Sequence, residues 1–104
     1  MGDGGGLLMS NAWWTVEGYI AFKESTTEER ITEVIGVLHN NNYAFYRENP
    51  ADAVYTIDQQ RTLKYNALLN LLKPYREDIN DLLITETVSH YGENDIRMES
   101  LEDD

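Results

Sequence analysis

The chain contains no cysteine. That excludes disulfides, thiol nucleophiles, iron–sulfur clusters and Cys-ligated zinc, and it fits a reducing compartment. Histidine is nearly as scarce. His39 and His90 are the only two, and neither stands in the His-x-x-x-His or Glu-x-x-His spacing that places two ligands on one metal. His90 follows Ser89, but adjacent strand residues point to opposite faces, and no Gly-x-Ser-x-Gly elbow is present. The glycines at 2, 4, 5 and 6 precede no strand–helix turn, so no phosphate cradle is expected. Asp78, Asn80 and Asp81 lack the glycine and terminal glutamate of a calcium loop. These absences point away from an enzyme, and no cofactor is expected.

Basic residues are also in short supply. Eight Lys and Arg face nineteen Asp and Glu, for a formal net charge of -11. That balance opposes direct contact with nucleic acid or an anionic membrane surface, both of which need cations to neutralise phosphate. It favours a basic partner, or solubility alone. No apolar run approaches the ~18–20 residues that span a bilayer. No basic n-region followed by an apolar h-region opens the sequence, so no secretory signal is expected and the expected location is cytoplasmic.

What is present is a single domain's worth of chain, 104 residues. The glycine-rich residues 1–10 are expected to be disordered, residues 11–101 to form one α+β domain, and residues 102–104 to be an acidic end. From Ala12 to Lys23 the pattern has period two. Trp14, Val16, Gly18, Ile20 and Phe22 share one face, and Trp13, Thr15, Glu17, Tyr19 and Lys23 the other, which predicts a strand. Gly18 inside it predicts a bulge or a close approach. Thr26 and Glu29 have capping-box spacing, with Ser25 and Glu28 as the other register. Ile31, Val34, Ile35 and Leu38 then form a helical stripe, with His39 in the last turn, where an imidazolium suits the helix dipole. Asn40, Asn41 and Asn42 end it, since Asn tolerates the left-handed conformation.

Tyr43–Arg47 and Ala53–Ile57 read as two short strands around a turn at 48–52 with Pro50. Asp58 or Thr62 is then the expected cap of a long helix. Tyr65, Leu68, Leu72, Tyr75, Ile79 and Leu82 are spaced 3, 4, 3, 4 and 3, the seam of an amphipathic helix, widened by Leu69, Leu71 and Leu83. Pro74 predicts a kink within it. Ile84–Tyr91 and Ile96–Leu101 read as strands around a turn at Gly92–Asp95. The resulting order, β-α-β-β-α-β with a C-terminal hairpin, is the split plan of ferredoxin-like domains, with two helices on one face of an antiparallel sheet.

Trp13, Tyr19, Tyr43, Phe45 and Tyr55 fall on the predicted strands. Ferredoxin-like RNA-binding sheets stack bases on such rings, but the Lys/Arg-Gly-Phe/Tyr box is missing and the charge has the wrong sign. Core packing or a protein interface is the better reading. The acids are concentrated: residues 77–104 hold ten of them against one base, Arg97. Glu86, Glu93, Asp95, Glu99, Asp78 and Asp81 are therefore the candidate partner-binding residues. The leading expectation is a small, non-enzymatic, acidic interaction protein docking a basic protein, in the sharper version a nucleic-acid-binding one whose groove it occupies. In composition it resembles short inhibitors of the phage anti-defence and toxin-immunity kinds. The other expectation is a regulatory or ligand-binding module that forms a homodimer through its sheet.

Overall fold

A computed structural model describes residues 14–61, 67–88 and 92–102. The described elements are β1 (Trp14–Phe22), α1 (Glu28–Asn40), β2 (Val54–Arg61), α2 (Ala67–Leu72), a 3-10 segment (Lys73–Asp78), β3 (Ile79–Val88), β4 (Gly92–Arg97) and α3 (Met98–Leu101). The four strands form one antiparallel sheet in the order β2-β1-β3-β4. The fold is thus α+β. Its element order is not β-α-β-β-α-β, because a single strand separates α1 from α2 where the split plan has two.

One face of the sheet carries the core. Val16, Ile20 and Phe22 of β1, Ile57 of β2, Ile79, Leu82 and Ile84 of β3 and Ile96 of β4 are buried together with Ile31, Val34 and Leu38 of α1 and Leu68 and Leu72 of α2. The strand at β1 and the stripe of α1 match the sequence reading. So does Asn42, with φ of 69° just past the helix.

The helix start is one residue later than expected. Thr27, not Thr26, is the N-cap, and its hydroxyl oxygen accepts from the Arg30 backbone N–H at 3.1 Å. With Arg30 at the third helical position, no carboxylate can close a capping box there. Thr26 instead donates its hydroxyl to the Asp78 carbonyl at 3.0 Å, and the Lys23 N–H donates to the same oxygen. Thr27→Ala should therefore cost about 0.5–2 kcal/mol as a lost cap. Urea melts of Thr27→Ala and Ser25→Ala check this, and equal midpoints for the two variants would move the cap elsewhere.

Tyr43–Arg47 is not a strand. Its one ladder contact is the bridge from Tyr46 to Thr56. The Tyr43 N–H is taken by Leu38 O at the end of α1, and the Ala44 N–H by the Gln59 side chain, so these donors are spent away from the sheet. The turn at 48–52 is as expected: Asn49 Oδ1 accepts from the Ala51 N–H and Asn49 O from the Asp52 N–H.

The predicted long helix is the largest departure. Helical structure from Ala67 ends at Leu72, a 3-10 segment with Pro74 in its first turn follows, and Ile79 onward is β3. Tyr65 lies outside the described residues. The misleading spacing has an identifiable cause. The β1–β3 register shifts between Ala21, opposite Asp81, and Phe22, opposite Ile79. The extra residue, Asn80, is a bulge. It leaves Ile79 and Leu82 both buried at a separation of three, which imitates one helical turn. Beyond it the strand alternates normally, with Leu82, Ile84 and Glu86 inside.

The predicted C-terminal turn is displaced as well. Gly92–Asp95 belongs to β4, with Gly92 opposite Val88 and Ile96 opposite Ile84. The core-facing positions of β4 are Gly92, Asn94 and Ile96, so one apolar residue is all the alternation the sequence offers. The second predicted strand ends at Arg97 and gives way to α3, whose Leu101 is buried. Residues 1–10, Trp13, Ser89, His90, and Asp103 and Asp104 of the acidic end lie outside the described residues.

Candidate functional site: the open face of the sheet

The helices cover one face of the sheet; no described element covers the other. Register fixes its rows. Asp58, Glu17, Thr85 and Asp95 lie in one line across all four strands, and Gln60, Thr15, Thr87 and Glu93 in the next. Thr56, Tyr19, Leu83 and Arg97 form a third, and Asp81 stands opposite Ala21. Five carboxylates thus share the face: Glu17, Asp58, Asp81, Glu93 and Asp95. Its one described cation is Arg97, which is bound to Asp95 at 3.1 Å. Tyr46 and Val54, the exposed large hydrophobic residues among those described, at 46% and 37%, are brought to this face by the Tyr46–Thr56 bridge and by alternation from Thr56.

Several of these groups hold one another. The Tyr19 hydroxyl donates to Asp81 Oδ2 at 2.7 Å. That bond, aided by partial burial and the carboxylate's charge, pushes the phenol above its ordinary pKa. The Thr85 hydroxyl donates to Asp95 Oδ1 at 2.9 Å. Glu17 and Asp58, by contrast, are direct cross-strand neighbours on adjacent strands. Like charges so placed destabilise a sheet.

The six acidic residues singled out from sequence separate. Asp81, Glu93 and Asp95 lie on the open face. Glu99 is exposed on α3, outside the sheet. Asp78 faces α1: its carboxylate accepts from Arg30 Nε at 3.0 Å, and that bond is the main reason the guanidinium is held above its ordinary pKa. It ties the 3-10 segment to α1 and is not presented to a partner. Glu86 is only 2% exposed. It stands opposite Val16 and Asn94 on the helix-covered side, which removes it from any docking surface of the folded chain.

Sequence reasoning missed Glu17, Asp58 and Tyr46. Glu17 and Tyr19 were already on one side of β1 by period two. Asp58 was hidden because core positions of β2 turn polar after Ile57, so the strand seemed to end. Of the other aromatics, Tyr43 and Phe45 are buried, and Tyr55 meets Phe22 edge-to-face at 5.8 Å. His39 donates Nε2–H to Phe45 O at 2.9 Å, a structural bond at the end of α1. Among the described residues no group of three or more His, Cys, Asp or Glu is placed to hold a metal ion, and no helix is long and apolar enough to cross a membrane. No family model, curated protein or solved structure matches the chain.

Proposed function

We propose that this chain is a small acidic interaction protein, without catalytic activity of its own, whose open sheet face docks a basic protein. The observation that carries the reading is the charge of that face: five carboxylates against one arginine already bound to one of them. A surface of that kind raises the association rate of a cationic partner and rejects anionic ones. The partner class that fits best is a nucleic-acid-binding protein, because its own groove is built to receive closely spaced negative charge. Occupying that groove makes this chain an inhibitor, of the kind used in phage anti-defence or toxin immunity. Homodimerisation through the same face would set the five carboxylates against their own copies, a juxtaposition that costs several kcal/mol.

The test is charge reversal on the open face. Glu93→Lys with Asp95→Lys should leave the protein folded, since exposed charges contribute only about 0–1 kcal/mol each. It should slow association with the purified partner, first identified by affinity capture, by roughly tenfold or more. Raising salt from about 0.05 M to about 0.5 M should slow the wild-type association in the same way. A folded double variant that associates at the wild-type rate ends the acidic-face reading.

A further inference from the structure

The open face is not uniform. Between β1 and β2 lies a shallow groove of about 430 Å³, lined by Glu17, Gly18, Tyr19, Tyr46, Thr56 and Asp58. Its walls combine two phenol rings with two carboxylates. A phenol ring beside a carboxylate occurs twice elsewhere in this protein, each time around a guanidinium. Arg30 lies 5.0 Å from the centre of the Tyr75 ring and is bound to Asp78 at 3.0 Å. Arg47 lies 4.9 Å from the centre of the Tyr55 ring and is bound to Glu28 at 3.1 Å. Tyrosine plus carboxylate thus holds two of the arginines of this fold, Arg30 and Arg47. At the groove that pairing faces solvent, while Arg30, Arg47, Arg76 and Arg97 are all bound to carboxylates elsewhere.

We infer that this groove is the anchor point of the docking face and takes an arginine side chain from an extended basic segment of the partner. The inference rests on the acidic-face reading and sharpens it. The two phenol rings select arginine over lysine. A planar guanidinium stacks on a phenol ring and makes paired hydrogen bonds to a carboxylate, whereas an ammonium is a compact, strongly hydrated charge. Glu17 and Asp58 repel one another across the strands, and a cation between them relieves that repulsion.

Acetylated hexa-arginine amide and hexa-lysine amide, equal in length and charge, separate the possibilities when titrated against the full chain by fluorescence anisotropy at low salt. The wild type should bind the arginine peptide roughly five- to tenfold more tightly. Tyr46→Ala and Asp58→Asn should each bring the ratio of the two affinities close to one. Tyr46 joins the sheet through its backbone alone, and Asp58→Asn removes a like-charge contact, so both variants should fold, as circular dichroism will show. Glu17→Gln serves in place of either if it does not. A wild-type ratio of one, or a ratio that survives these substitutions, overturns the arginine groove. If both peptides then still bind and Glu93→Lys with Asp95→Lys weakens them equally, the acidic-face reading stands without its anchor. If neither peptide binds at low salt, both readings fall together.

Discussion

Gly18→Ala should abolish cooperative folding. Gly18 lies in the middle of β1, paired to Ile57 on one side and Ile84 on the other. Its φ is +152°, and a Cβ built there would overlap the Leu83 carbonyl oxygen and come within 2.6 Å of Ile84 Cα. Both obstacles are backbone, so no rotamer change relieves them. The β1–β3 pair would have to separate at the centre of the sheet, where Val16, Ile20, Leu82 and Ile84 hold the core. Total stability of a domain this size is about 5–15 kcal/mol, and a loss above roughly 4 kcal/mol is expected here. Gly36 in α1 is the internal control: nothing lies within 4 Å of a Cβ there, so Gly36→Ala should stabilise by about 0.5–1 kcal/mol. Urea melts of the two variants should move in opposite directions. A Gly18→Ala midpoint within the error of the wild type would mean that β1 and β3 are not in close contact at this point.

The same region explains what the sequence conceals. Strand β1 and helix α1 are legible because each buries a face of its own period without interruption. Ile79 and Leu82 are not, because a bulge at Asn80 converts period two into a spacing of three, and Leu68 and Leu72 upstream supply a true helical turn to which it attaches. Pro74 marks the boundary between the two. In β2 and β4 the inward positions Gln59, Asn94 and Gly92 are not apolar, so the alternation that reveals a strand fades before the strand ends. The docking face suffers from the same loss. Counting acids along the chain finds the excess after residue 76, yet the face is assembled from β1 and β2 as much as from β3 and β4. Glu17 and Asp58 join it only through strand register, a relation between residues 41 positions apart.

Glu86→Lys should unfold or severely destabilise the protein, although every count of surface charge would include Glu86. The side chain projects from β3 to the helix-covered face between Val16 and Asn94 and is 2% exposed. A lysine there must bury a longer chain ending in an ammonium, in surroundings shaped around a carboxyl group. An uncompensated buried charge costs roughly 3–5 kcal/mol, and the extra length adds overpacking strain. Glu93→Lys, in the neighbouring strand and facing out, should change stability by no more than about 0.5 kcal/mol. Glu86→Gln keeps the shape and cannot ionise, so its melt separates a cost of charge from a cost of volume. The comparison also guards the binding experiments. Any charge-reversed protein that includes Glu86 will lose its partner by losing its fold, whereas variants on the open face, such as those at Glu17, Asp58, Glu93 and Asp95, report on docking. A Glu86→Lys protein with a wild-type urea midpoint would place this side chain in solvent and return it to the acidic face.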